Sequence, residues 1–324
     1  MTTETAIAHP NIAFIKYWGN SDNDLRLPAN SSISMSLGAL ETHTSVYLQP
    51  EPRSDELELD GSPQSGPALE RVSKFLDIIR AASGNHDNAR VVSENSFPQS
   101  AGVASSASAF AALALAAAHA YGLDLTEKEL SILARRGSGS AARSIPAGFV
   151  EWHAGSSSED SFAETIAPPE HWELWDCIAM VEAQPKKVGS TQGHQLADTS
   201  PLQSARLLDA DRRLDLCRQA ILQKDFAKLA DVIELDSNML HAVMLTSRPP
   251  LMYWSPLSIE IMRQVAAWRA GGLEVAYTLD AGPNSHIICS ADSRHTVIER
   301  LAAIQGVMKT IVSQVGGGAF LVSS

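Results

Sequence analysis

The sequence predicts an α+β fold in two lobes, and three observations carry that prediction. The chain of 324 residues is longer than one hydrophobic core ordinarily fills. Strand-like apolar runs and helically spaced apolar residues are mixed along its whole length. Pro185, Gly189 and Gly193 cluster within 184–195 and mark a boundary, so lobes of 1–185 and 186–324 are expected.

Residues 7–19 and 31–49 alternate or run apolar like strands, with Leu27-Pro28 punctuating the link. Residues 51–66 are acidic and rich in Pro, Ser and Gly, which suits a hairpin or surface loop with a short strand over 56–59. Leu69, Val72, Phe75, Leu76 and Ile79 predict a helix over 67–83. A strand-like run follows at Arg90-Val91-Val92, then a Pro/Gly/Ser loop, then an Ala/Leu-rich helix over 105–121. Thr126 with Glu129 three positions later is a capping-box pattern that opens a helix over 126–136. Residues 137–144 form a small-residue turn, and 149–152 and 175–182 read as strands. Beyond the boundary, helices are expected over 200–223, 225–235, 256–270 and 293–305, and strands over 274–279, 285–289 and 308–312. There are no internal repeats and no long low-complexity tract.

The chain is 44% hydrophobic and 19% charged, a soluble globular composition. Its net charge of −12 argues against nucleic acid and anionic membrane surfaces as partners. An anionic substrate must therefore be met by locally placed cations. Cys177, Cys217 and Cys289 are odd in number and lack Cys-x-x-Cys spacing, so they read as buried apolar residues in a reducing compartment. The N-terminus has no secretory signal pattern, and the apolar helix near 107–121 carries Ser108 and His119 and falls short of a membrane span. A cytoplasmic protein is expected.

Residues 93–110, Ser-Glu-Asn-Ser-Phe-Pro-Gln-Ser-Ala-Gly-Val-Ala-Ser-Ser-Ala-Ser-Ala-Phe, are the most informative stretch. A small-residue loop feeding a helix N-terminus lets backbone N–H groups reach phosphate, with the helix dipole adding attraction. No Gly-x-x-x-x-Gly-Lys-Ser/Thr occurs, so this is not the common P-loop. The alternative is an ordinary strand–turn–helix packed with alanine. On the phosphate reading the backbone of Ala101, Gly102, Val103, Ala104, Ser105, Ser106 and Ala107 cradles phosphate. Ser106 is the best-placed hydroxyl for the phosphoryl group or a Mg²⁺ ion and Ser105 the next, unless one merely caps the helix. Asn95 and Ser96, just upstream, are candidate contacts to the same phosphate-bearing ligand.

Lys16 stands inside the apolar run Ile12-Ala-Phe-Ile-Lys-Tyr-Trp, and a buried lysine needs a partner. Asp280 closes a strand in the second lobe, just before Ala-Gly-Pro. The two can satisfy each other across a cleft, either as a reacting pair or as a structural ion pair. The serines form no Gly-x-Ser-x-Gly elbow, so a serine hydrolase has little support. His9, His194, His241 and His286 lack zinc-ligand spacing, and the six tryptophans are scattered as packing residues are.

Four motifs in one order carry a resemblance: Asn11-Ile-Ala-Phe-Ile-Lys-Tyr-Trp-Gly19, the loop at 93–110, Gly137-Ser-Gly-Ser-Ala-Ala-Arg-Ser144, and Ala276-Tyr-Thr-Leu-Asp-Ala-Gly-Pro-Asn284. Together they resemble the diphosphomevalonate decarboxylase family of the GHMP kinase superfamily, over about residues 7–318. The resemblance implies a ribosomal-protein-like N-terminal lobe that binds nucleotide, an α/β C-terminal lobe, and an active site between them. It implies ATP and Mg²⁺, a phosphorylated mevalonate as small-molecule substrate, and a homodimer. The reaction implied is phosphorylation of a tertiary 3-hydroxyl, departure of that phosphate and loss of CO₂ to give a terminal alkene. Positive character at a tertiary carbon draws electrons from the C–CO₂⁻ bond, so no electron-sink cofactor is required. The matching roles are Asp280 orienting the hydroxyl and taking its proton late, Lys16 assisting, and Arg143 clamping the substrate carboxylate. Tyr17, Ser138, Ser140, Ser190 and Thr191 match substrate contacts.

The chain departs from the family pattern at one telling place. The family's Lys-Tyr-Trp-Gly-Lys reads Lys-Tyr-Trp-Gly-Asn here, ending on Asn20. Losing a cation beside the substrate's phosphate tail predicts mevalonate 5-phosphate as the substrate, while Arg26 can restore a cation and keeps mevalonate 5-diphosphate open. Gly316-Gly-Gly318 differs slightly from the family's last glycine-rich motif and is expected near the phosphates. A kinase that stops at phosphorylation and a non-catalytic relative are the competing readings. Retention of Lys16, Arg143, Asp280 and the phosphate loop argues against both.

Overall fold

The computed structural model describes residues 2–49, 54–97, 105–181 and 189–322. Strand β1 (Thr3–Ala8) is separated from β2 (Asn11–Ile15) by His9-Pro10, since proline breaks the run that the sequence presents as continuous. A small hairpin, β3 (Asn20–Asp22) and β4 (Leu27–Pro28), leads to β5 (Ser32–Ser36) and β6 (Thr42–Gln49). The acidic segment is a hairpin of β7 (Glu56–Leu59) and β8 (Ser62–Gln64). Helix α1 (Pro67–Ser83) stops at Gly84, whose φ of 71° supplies the left-handed C-cap. Strand β9 (Asn88–Asn95), helix α2 (Ser105–Ala120) and helix α3 (Glu127–Gly137) follow, and the Thr126–Glu129 capping box forms. A 3₁₀ turn at Gly139–Ser144 precedes β10 (Phe149–Trp152), the edge strand β11 (Ala163–Ala167) and β12 (Leu174–Met180).

The second half holds α4 (Ser190–Gln195), α5 (Gln203–Leu208), α6 (Ala210–Gln223), α7 (Phe226–Thr246), α8 (Pro256–Ala270), β13 (Val275–Thr278), β14 (Ser285–Ser290), α9 (Ala291–Ala302), β15 (Lys309–Gln314) and β16 (Phe320–Leu321). The helix expected over 200–223 is broken at Asp209. Its carboxylate holds Arg212 and Arg213, and Arg213 donates to the carbonyl of Arg206 at 3.0 Å, which replaces a continuing helical bond. The helix expected to end at 235 runs on to Thr246, because the polar residues Asp236, Ser237 and Asn238 are paired to the elements it packs on.

Strands are ordered β16-β1-β6-β9-β7-β8 in one sheet, β11-β10-β5-β2 in a second and β13-β14-β12-β15 in a third. Alanines 107, 111, 114 and 118 on α2 are fully buried and let that helix lie close on β1 and β6. Helices α6 and α7 fill the space between the second and third sheets, in a core that joins Ile12, Phe14 and Ile33 to Leu229, Ile233 and Ile288. The ends of β2 and β13 therefore meet over α7. Residues 316–319 bond to the backbone of Ser36, Gly148 and Ile145 and carry the chain back to β1, where β16 pairs.

Candidate active site

Lys16 follows β2 and is 1% exposed. Its Nζ donates to Asp280 Oδ1 at 2.7 Å, joining the end of β2 to the residues that follow β13. Asp280 follows β13, and its side chain is 28% exposed, so one end of the pair faces open space while the lysine stem is sealed.

Arg143 lies on the 3₁₀ turn and is 3% exposed. Its Nε donates to Asn11 Oδ1 at 3.3 Å and its Nη1 to Ser32 Oγ at 2.7 Å. The guanidinium lies over the Trp152 ring, 5.7 Å from its centroid. Among the described residues it touches no carboxylate. Burial pulls its pKa down to about 10, opposed by the nearby charges of Asp280 and Tyr17, so it stays a cation at neutral pH. A buried cation with neutral partners suits a carboxylate from outside. Asn11 and Ser32 are functional neighbours that motif reasoning missed. Asn11 also donates to Ser144 Oγ at 2.8 Å and to the carbonyl of Ser140 at 3.2 Å, tying the turn to β2. The available signal was a polar residue opening an apolar strand.

Tyr17 packs edge-on to Trp152 and stacks on His194, with centroids 4.8 and 4.1 Å away. A side chain at position 139 would collide with the Tyr17 ring, at 2.6 Å from Cε1 to an added Cβ, so Gly139 is required for this contact. The Tyr17 hydroxyl donates to Asn20 Oδ1 at 2.5 Å, and Asn20 Nδ2 donates to Asn23 at 3.0 Å. Burial pushes the phenol up to about 12, tempered by Arg26 and Arg143. Arg26, half-buried on the β3–β4 hairpin at φ 52°, lies within electrostatic reach of Tyr17, Arg71 and His194.

His194 and His241 are the other residues the sequence did not single out. Gly19 N–H donates to His194 Nδ1 at 3.0 Å. Burial first, then Arg206, Arg26 and Arg143, brings His194 down to about 3. His241, stacked on Trp254 with no partner for its Nε2 among the described residues, is likewise brought to about 3, by burial first and then Lys16. Both rings are neutral in the folded chain at pH 5, whereas in the unfolded chain each gains a proton below about pH 6.5. Their contribution to stability is thus complete above about 6.5 and lost as pH falls toward 3. Between pH 6.5 and 5 each ring should cost on the order of 2 kcal/mol. Thermal melts across that interval should show the drop, and His241→Phe should show a shallower one. An equal pH slope in the variant would remove His241 from this account.

Helix α2 opens beside the 3₁₀ turn, with Ser106 Oγ 3.4 Å from Ser138 Oγ. A cavity of about 220 Å³ adjoins it, lined by Leu57, Arg71, Ser93, Asn95, Ser105 and Phe110 among others. Asn95 accepts from Thr42 Oγ1 at 2.8 Å, and Thr42 is 2.7 Å from Ser108 Oγ, so the cavity wall is tied to α2. Ser96 is exposed, and its hydroxyl accepts from Glu41 N–H at 2.9 Å; it does not line the cavity. Ala107 is buried within α2. Residues 101–104 lie outside the described residues, as do the side chains of Ser190 and Thr191, which open α4. Among the described residues no three His, Cys, Asp or Glu side chains gather as a metal cage, and no helix is long and apolar enough to cross a membrane. Gly316–Gly318 serve as the backbone seam to β16.

Two family models match, the diphosphomevalonate decarboxylase-like N-terminal domain over residues 8–163 and the mevalonate 5-diphosphate decarboxylase C-terminal domain over 177–318. A diphosphomevalonate decarboxylase of Aspergillus fumigatus is 41% identical, over 93% of this chain and 80% of its own length. The human diphosphomevalonate decarboxylase is 38% identical, over 93% and 79%. A solved structure of the mevalonate diphosphate decarboxylase from Enterococcus faecalis superposes with a TM-score of 0.93 at 36% identity, covering 100% of this chain and 99% of that one. The Staphylococcus aureus enzyme gives 0.94 at 37% identity, covering 99% and 98%. These relatives bear the diphosphate name, so they do not support the monophosphate expectation drawn from Asn20, and the diphosphate alternative fits them better. The chain belongs to the diphosphomevalonate decarboxylase family of ATP-dependent carboxy-lyases, on the GHMP kinase fold.

Proposed function

We propose that this protein converts mevalonate 5-diphosphate and ATP into isopentenyl diphosphate, CO₂, ADP and phosphate. The observation that carries the reading is the Lys16–Asp280 pair, joined at 2.7 Å between the lobes, with the carboxylate-free guanidinium of Arg143 in the same electrostatic neighbourhood. Asp280 orients the 3-hydroxyl and takes its proton late, as the oxygen bonds the γ-phosphorus. Lys16 steadies that carboxylate and the charge on the transferring group. Arg143 holds the substrate carboxylate ionised. The C–O bond to the new phosphate then breaks, and the electrons of the C–CO₂⁻ bond form the alkene.

The first turn of α2 and the adjoining cavity suit the nucleotide, with the base in the cavity and the phosphates at Ser105 and Ser106. A neighbouring solved structure is described as "MDDEF in complex with MVAPP, AMPPCP and Magnesium", at 36% identity and a TM-score of 0.93. The donor set here fits a magnesium ion brought by ATP, since a hydroxyl such as Ser106 can add one oxygen to the phosphates and waters it prefers. The ion would neutralise phosphate charge.

For the substrate tail, Arg26 supplies the cation that position 20 lacks, and Asn20 instead holds the Tyr17 hydroxyl. Wild type should therefore show the higher kcat/KM with mevalonate 5-diphosphate than with mevalonate 5-phosphate. Arg26→Ala should shift that ratio toward the monophosphate by about tenfold, the scale of one charge-assisted contact. Asn20→Lys should move it far less. A wild type that prefers the monophosphate would sink the diphosphate reading, and Asn20 would again be the selecting residue.

A further inference from the structure

The backbone of Lys16 is held by the second lobe as closely as its ammonium is. Strand β2 loses register with β5 between Ala13 and Ile15, so the peptide groups of Lys16 leave the sheet. The Lys16 N–H donates to Asp236 Oδ1 on α7 at 2.8 Å. Its carbonyl accepts from Arg206 Nη2 on α5 at 2.6 Å and from Asn30 Nδ2 at 3.0 Å. The Trp18 carbonyl accepts from Gln203 Nε2 at 3.0 Å and from Arg206 Nη1 at 3.4 Å. Behind them Arg213 donates to Asp236 Oδ2 at 2.8 Å and to the Arg206 carbonyl at 3.0 Å.

Arg206 is the unusual member. It is fully buried, makes no ion pair among the described residues, and leaves its Nε without a partner. Its other donors go to the Lys16 and Trp18 carbonyls and to Asn30 Oδ1 at 3.2 Å. A guanidinium buried on neutral acceptors is a poor way to add stability. Its geometry matches a different task, fixing the direction in which the Lys16 side chain departs. We propose that Arg206 is a positioning residue for Lys16, gripping its carbonyl so that the ammonium meets Asp280 and the transferring phosphoryl group.

This inference rests on the reading of Lys16 and Asp280 as the reacting pair. The test compares full-length wild type, Arg206→Gln, Arg206→Lys, Asn30→Ala and Asp280→Asn in ATP and mevalonate 5-diphosphate turnover, with thermal melts alongside. Arg206→Gln should lower kcat by about tenfold to a hundredfold with KM for ATP within about twofold. Its melting midpoint should hold, because a buried unpaired charge has been removed. Arg206→Lys should restore part of kcat, since an ammonium reaches one carbonyl. Asn30→Ala should lower kcat several-fold by the same route. Wild-type kcat in folded Arg206→Gln would overturn the proposal. If that variant does not fold, wild-type kcat in Asn30→Ala overturns it. Near-native turnover by Asp280→Asn would instead remove the underlying reading, so the two failures are distinct.

Discussion

Asp280→Asn should fold, bind ATP and lose CO₂ release by about 10²- to 10⁴-fold, the contribution of a positioned base. The amide oxygen can still accept from Lys16 Nζ, now 2.7 Å from Oδ1, so the local shape survives. What disappears is the negative charge and the proton acceptor. The lysine is left sealed at 2% side-chain exposure without its counter-charge, so some loss of melting temperature accompanies the loss of rate. Nucleotide binding by fluorescence or calorimetry, run beside the CO₂ assay, separates a dead site from an unfolded chain. Near-native turnover by a folded variant would take Asp280 out of the reaction.

Arg143→Lys should raise the substrate KM by about tenfold to a hundredfold while ATP binding changes little. The wild-type fork reaches Asn11 through Nε and Ser32 through Nη1, and among the described residues Nη2 has no partner, which leaves it for a ligand. A lysine ammonium cannot keep both partners and offer a planar pair of donors to a carboxylate. It also enters a site where burial already disfavours charge. Steady-state kinetics with each substrate varied separately gives the answer. Selective loss of ATP affinity would move Arg143 to the nucleotide side of the cleft.

Much of this site was readable because its residues break a local rule. Lys16 interrupts an apolar strand, Asp280 stands at a strand end, and an alanine helix follows a loop without large side chains. Each local misfit points to a partner elsewhere, and for Lys16 and Asp280 the partner is the other residue. Helix ends followed the same logic, since the capping box at Thr126 and Gly84 after α1 act within a few residues of themselves. The illegible part was long-range. Asp236 and Ser237 look like breakers of α7, yet they bond Lys16 N–H and Leu279 N–H, residues at 16 and 279 that no window contains. His194 carries no ligand spacing, and its role comes from landing against Tyr17 and Gly19, 175 positions away in the latter case. The relatives do not support the monophosphate expectation drawn from Asn20, and the difficulty with that residue is of a similar kind. A missing lysine is visible in the sequence, but whether Arg26 lies near enough to replace it depends on how the few residues between positions 20 and 26 fold into one short two-stranded hairpin.

The return of β16 to β1 bears on how the chain is made. Ala6 and Ile7 pair with Leu321 and Phe320, so β1 takes one of its two neighbours from a strand synthesised some three hundred residues later. Until then β1 has β6 on one side and an open backbone edge on the other. The sheet that packs on α2 can collapse early, but its edge at β1 stays unfinished while some three hundred residues are added. For that interval, about 15–60 s at ordinary elongation rates, the nascent protein presents a strand edge that a chaperone, or another nascent copy, can reach first.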